Sequence, residues 1–308
     1  MIITRIDGGL GNQMFQYAYG LYLAERHASE LKLDVRAYAG QPQHGYLLDR
    51  FQVTAPIASD ADLQKLPVRY RPAKPSWVAR VGELVVPGGG LRRHKETPFG
   101  FHPRHLDVPN HRYLVGYWQS EEFFPGLRDR LLQEFQLKQP LTAPSRQVYD
   151  RIRSTRSLAV HIRRGDYINN SAAAKIYCQL SLAYYTSAIR DWVEQESNGD
   201  SVEIFVFSND AAWCREHLAL PWPTTFVDHN RADTAHEDWV LMSQAQGLVI
   251  ANSTFSWWAA WLNPRADAAI YAPTTWFQPD TLDGSRIVPS HWRLAVDAPT
   301  TCAVDSVT

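Results

Sequence analysis

The chain has 308 residues, with 31 lysines and arginines against 32 aspartates and glutamates and a formal net charge of −1. That balance supplies no field for nucleic acid or an anionic membrane, and the length suffices for one large core or two of Rossmann size. Cys178, Cys214 and Cys302 are widely spaced and lack a Cys-x-x-Cys pattern, which argues against a disulfide framework or zinc site.

Met1-Ile-Ile-Thr-Arg-Ile6 alternates as a strand does and runs into Asp7-Gly-Gly-Leu-Gly-Asn-Gln13, with a helical stretch from Met14 to about Glu25. Gly8, Gly9 and Gly11 permit positive φ and close backbone approach, and the helix start offers unpaired amides. The spacing misfits the dinucleotide fingerprint, because Met14 stands where a third glycine is required. Asn12 and Gln13 are read as helix caps in preference to substrate contacts. With a strand starting at Ile2 and no apolar span of the ~20 residues a membrane helix needs, the chain is expected to be cytoplasmic, at most peripheral to the inner membrane.

Residues 68–100 hold Pro72, Pro75, Pro87 and Gly88-Gly-Gly90 with a basic excess. This predicts an irregular segment, either an acceptor-side loop or a passive surface insertion. After a helical region at Gly126–Phe135, Gln139-Pro-Leu-Thr-Ala-Pro144 reads as a linker between domains at 1–140 and 145–308.

Ser157-Leu-Ala-Val160 is a short buried strand that ends in His161-Ile-Arg-Arg-Gly-Asp-Tyr167. Ligands of open α/β sheets gather at the carboxyl ends of strands, and the arginine fork suits phosphate oxygens. Arg163 and Arg164 thus point to a phosphorylated ligand, the alternative being surface charges paired with Asp166. Val202–Phe207 reads as a strand ending in Ser208-Asn-Asp210, where Asp210 suits a ribose or guanine edge, or a helix cap. Gly247–Ala251 is a further strand, followed by Asn252-Ser-Thr254 and the helical Phe255–Leu262, whose start is an anion site in the making. Trp257, Trp258 and Trp261 are assigned to core packing. These strands alternate with helical stretches at Ser181–Glu194 and Glu237–Gln246, which predicts a parallel sheet with crossover helices.

Five motifs in this order, Gly8-Gly-Leu-Gly-Asn-Gln-Met-Phe-Gln-Tyr-Ala18, Gly116-Tyr-Trp-Gln-Ser-Glu-Glu-Phe-Phe124, His161–Tyr167, Ser208-Asn-Asp210 and Ser253-Thr-Phe-Ser-Trp-Trp258, resemble the α-1,2-fucosyltransferases of glycosyltransferase family 11. The resemblance implies a GT-B fold of two Rossmann-like domains facing across a cleft. It also implies GDP-fucose as donor, inversion at the fucose anomeric carbon, and no metal or other cofactor. It puts Arg163 at the donor pyrophosphate, His161 and Asp210 near the nucleoside, Ser253, Thr254 and Phe255 near the phosphates and base, and Asn12 toward the reaction centre from the other domain. Gly9, Gln13, Trp118 and Glu122 belong to its acceptor or loop motifs. The implied acceptor is a galactose-containing oligosaccharide, such as lactose or a lipopolysaccharide O-antigen unit, and the product an α-1,2 linkage.

No carboxylate occurs in Ile168–Leu182, so the acids left for a general base are Asp166, Glu122 and Asp7, with Asp166 ranked first. Asp60-Ala-Asp62 matches the Asp-x-Asp of metal-dependent glycosyltransferases, but Ser59 ahead of it favours a helix start. His102-Pro-Arg-His105 has no third ligand. Two other classes compete. A non-catalytic glycan-binding protein would use the tryptophans without needing a double arginine. Another nucleotide-dependent enzyme of Rossmann type would use the first glycine loop, with Asp34 as its closing acid.

Overall fold

The structure, a computed structural model, describes residues 1–39, 45–65, 91–165, 171–196 and 199–295. Asp166, the leading candidate for general base, and Cys302 lie outside the described residues. The chain divides into two compact units, Met1–Gln136 and Leu137–Thr308.

In the first unit β1 (Ile2–Arg5), β2 (Leu31–Asp34), β3 (Arg92–Lys95) and β4 (Arg112–Val115) form a wholly parallel sheet in the order β2-β1-β4-β3. Helix α1 (Leu10–Arg26) crosses from β1 to β2 and is buried on almost every side, which is why its amphipathic pattern is weak. Of the loop glycines only Gly8 takes a left-handed φ, +78°, and a Cβ there would meet the Asn12 amide nitrogen at 2.8 Å. Gly9 is the N-cap at φ −73° with open space around it, so it needs no special conformation. The segment read as irregular contains a strand at its end. β3 was invisible to an apolar pattern because its residues, Arg-Arg-His-Lys, line an exposed sheet edge where charges deter further pairing.

The second unit holds β5 (Arg156–Ile162), β6 (Val202–Ser208), β7 (Thr224–Val227), β8 (Gly247–Val249), β9 (Ala269–Pro273) and β10 (Arg293–Ala295). All are parallel, in the order β10-β9-β8-β5-β6-β7. This is the doubly wound order, with its reversal between β5 and β8. β5 and β6 run side by side at the centre, and Leu158, Val160 and Ile162 pack with Ile204 and Val206 on Tyr184, Ile189 and Trp192 of the helix Leu182–Glu196. Trp257 and Trp258 are fully buried and Trp261 is 9% exposed, so all three indoles are core. Ala143 and Pro144, read as linker, open the helix Ala143–Ser154; proline is at home in a first turn, where its missing N–H costs nothing. These two parallel α/β units are the GT-B type architecture that the motifs implied.

Candidate functional site

In the first unit the sheet order reverses between β1 and β4, and the glycine motif and the Gly116 motif both sit at the carboxyl ends of these strands. Asn12 and Gln13 do not cap α1; the cap residue is Gly9, without a side-chain bond. Gln13 is fully buried instead, donating to the Gly8 and Gly45 carbonyls at 3.0 and 2.9 Å and accepting from the Leu47 amide at 2.9 Å. That corrects the capping expectation: a long amide buried beside a loop serves better as a brace. Asn12 Oδ1 accepts from Gln119 Nε2 at 2.9 Å, and Gln16 Nε2 donates to the Gly116 carbonyl at 3.2 Å, so the two motifs are stitched side chain to side chain. Asp7 accepts from Gln16 and pairs with Arg5 at 3.0 Å.

Trp118 has no exposed surface; Tyr19 lies 4.2 Å from its ring and His94 stacks on it at 5.7 Å. Its ring therefore reaches no ligand, and its place in the motif is to anchor the loop. Glu122 sits in a short 3-10 turn whose start is capped by Ser120 Oγ. Asp34 is occupied by Arg36 at 2.8 and 2.7 Å and by the Tyr113 hydroxyl at 2.7 Å, which leaves no ribose-binding acid for the competing Rossmann-type reading. Asp62 completes a capping box with Ser59, His102 caps a turn, and His105 bonds His94 at 2.8 Å. Among the described residues no three His, Cys, Asp or Glu side chains gather as a metal site would require.

In the second unit the motifs meet at the carboxyl ends of β5 and β8. His161, 4% exposed, places Nδ1 2.8 Å from Ser256 Oγ, and its ring centroid lies 5.6 Å from that of Phe255. Ser253 caps the helix Thr254–Trp261, and with Thr254 and Phe255 it opens beside His161. Asn252 is inward, its amide donating to the Cys178 and Trp276 carbonyls at 2.8 Å each. Arg163 and Arg164 lie just past the strand, partly buried, so strand alternation does not decide where they point.

Asn209, which the sequence reading left without a part, accepts from the Arg164 and Gly165 amides at 3.0 and 3.2 Å and shapes the arginine loop. Arg164 lies 4.1 Å over the Trp213 ring and 3.9 Å from Asp210 Oδ2, so its described partners come from the β6 side. Asp210 caps the helix Ala211–His217, accepting from the Trp213 amide at 3.3 Å. A second acid escaped the sequence reading. Asp238, in the helix Ala235–Ser243, accepts from Asn230 at 2.7 Å, and burial with the adjacent Glu237 charge raises its pKa to about 7. Asn230 follows β7, so this acid lies on the same carboxyl side of the sheet. Its only signal was a helical pattern shared with any surface helix.

A model of glycosyl transferase family 11 matches residues 100–292. The chain belongs to this family. As a family 11 glycosyltransferase it is 31% identical over 297 residues to the alpha-1,2-colitosyltransferase of Escherichia coli, covering 95% of this chain and 98% of that one. It is equally 31% identical over 290 residues to the O-antigen biosynthesis glycosyltransferase WbnK of Escherichia coli, covering 88% and 93%. Bos taurus galactoside alpha-(1,2)-fucosyltransferase 2 is 28% identical over 263 residues, covering 83% of this chain and 67% of its own. Among solved structures, the NodZ alpha-1,6-fucosyltransferase soaked with GDP-fucose has a TM-score of 0.52 at 18% identity, covering 88% and 94%. Arabidopsis thaliana FUT1 in complex with GDP has a TM-score of 0.51 at 14% identity, covering 91% and 72%; both show the fold alone. Among the described residues no helix is long and apolar enough to cross a membrane.

Proposed function

We propose that this glycosyltransferase moves L-fucose from GDP-fucose to the 2-hydroxyl of a terminal galactoside, with inversion at the anomeric carbon. The observation that carries the reading is the meeting of the Arg163–Gly165 loop with a serine-capped helix start where the second sheet reverses its order. As the fucose–phosphate bond breaks, positive charge grows on the sugar and negative charge on GDP. A guanidinium fork and the first amides of a helix are fixed donors for that negative charge, and they need no reorganisation as it appears.

In this reading Arg163 holds the pyrophosphate; Ser253, Thr254 and Phe255 meet the phosphates and base; and His161 and Asp210 lie toward the nucleoside. Asn12, held by Gln119, serves the acceptor side. Asp166 takes the proton of the attacking hydroxyl, a role assigned on sequence alone. No step is given to a metal. The acceptor is a galactose-terminated oligosaccharide such as lactose or an O-antigen unit, a reading supported by the names of the curated relatives.

A second donor has its own support. The Escherichia coli relative that aligns over nearly the whole chain is named for colitose, which is fucose without its 3-hydroxyl. A transfer assay offering GDP-fucose and GDP-colitose to lactose in EDTA, with the product linkage read by NMR, tests both. An α-1,2-fucosyl product supports the primary reading. A product from GDP-colitose alone moves the assignment to colitosyl transfer.

A further inference from the structure

The loop that follows β4 turns one aromatic ring into the core and the next one out to solvent. Tyr117 is 41% exposed beside the fully buried Trp118. The inversion is built into the backbone: Trp118 has φ +57°, a left-handed conformation that a bulky side chain adopts only where its surroundings compel it.

Glu96 supplies that compulsion. It follows β3, is 8% exposed, and its carboxylate accepts three backbone amides: Tyr117 at 2.6 Å, Trp118 at 3.1 Å and Gly100 at 3.2 Å. Gly116 lets it approach, since a Cβ there would stand 2.6 Å from Glu96 Cβ and 2.7 Å from its Oε2. Burial pushes the Glu96 carboxyl above its ordinary pKa, and the three amides oppose that shift. A carboxylate that closes a loop in this way fixes the loop's direction as well as its existence. One residue further on, Gln119 holds Asn12 at 2.9 Å. Tyr117 thus stands at a strand end where the sheet order reverses, next to the Asn12 pair, on a backbone clamped from beneath.

We propose that Tyr117 is a platform for the acceptor saccharide, and that Glu96 is the positioning residue that holds its ring outward. A pyranose presents one face of C–H bonds and an edge of hydroxyls, and a tyrosine offers an apolar face with a polar tip to match both. The inference rests on the proposed transfer to a saccharide acceptor and adds the side chain that receives it.

The test uses lactose as probe and has a readout independent of turnover. Saturation-transfer NMR on the wild-type chain should show galactose protons in contact with protein, and Tyr117→Ala should lose the contact while GDP affinity by calorimetry stays unchanged. In turnover, Tyr117→Ala should raise the acceptor KM on the order of ten-fold, and Tyr117→Phe should keep the wild-type value. Glu96→Ala should reproduce the rise in acceptor KM, Glu96→Gln should restore part of it, and combining Glu96→Ala with Tyr117→Ala should add nothing. Lactose contact retained in Tyr117→Ala, or absent in the wild type, overturns the platform. An unchanged acceptor KM in folded Glu96→Ala reduces Glu96 to a structural brace. If Glu96→Ala does not fold, Glu96→Gln and the Tyr117 pair still decide. Failure of fucosyl transfer with lactose contact intact would count against the donor reading and leave this one standing.

Discussion

His161 Nδ1 and Ser256 Oγ lie 2.8 Å apart in the core of the second unit, and this bond joins the end of β5 to the helix that follows β8. Both residues are nearly or wholly buried, so the pair closes the point where the sheet changes direction without help from solvent. It orients the His161 ring toward Phe255 and sets the helix start at a fixed distance from the arginine loop.

Ser256→Ala should therefore lower stability by about 1–3 kcal/mol, because it strips a partner from a buried imidazole nitrogen. Guanidinium unfolding followed by tryptophan fluorescence measures this. An unchanged midpoint would show that the bond contributes nothing.

The two arginines should separate. Arg163→Ala is expected to lower kcat on the order of 10²–10³, with lysine restoring little, since a point charge cannot reproduce a bidentate fork. Arg164 spans Trp213 and Asp210 and is only 24% exposed along its side chain, so Arg164→Ala should show itself first as a lower Tm. Steady-state kinetics and thermal unfolding on the same two proteins check the division. A rise in the GDP-fucose KM with kcat intact for Arg163→Ala would mean uniform binding in place of transition-state stabilisation.

Asp238 gives a pH signature with a definite sign. Its ordinary carboxyl pKa of 3.8 is raised to about 7 in the fold by burial and by Glu237, so between those values the unfolded chain has released a proton that the native one keeps. Native stability from this group should fall as pH rises from about 4 to 7 and level off above. Asp238→Asn should flatten that slope and gain stability at pH 8 relative to the wild type. Parallel slopes in the two proteins would contradict the shift.

The strands and helices of the second unit were legible because β5, β6 and β8 are central and buried on both faces, leaving unbroken apolar runs. β3 was not legible, because an exposed basic edge carries no apolar signal. In the site, the serine cap of the last helix and the buried indoles followed directly from residue type. The opposite facing of Tyr117 and Trp118 did not, because it depends on a carboxylate twenty residues away and on a left-handed backbone that only the tertiary fold imposes. Gln13 misled for a similar reason: at a helix start a polar residue suggests a cap, and only the fold brings the Gly45–Leu47 backbone alongside it.

The central claim is that a guanidinium and a helix start at the β5/β8 reversal stabilise a departing GDP. The most direct measurement is the rate of transfer from GDP-fucose to lactose with EDTA present, run on wild type and on Arg163→Ala. The account predicts an α-1,2-fucosylated product from the wild type at a rate that chelation leaves unchanged, and a 10²–10³-fold lower kcat in the folded variant. Activity abolished by EDTA and restored by Mg²⁺ or Mn²⁺, or a near-normal kcat in Arg163→Ala, would contradict it.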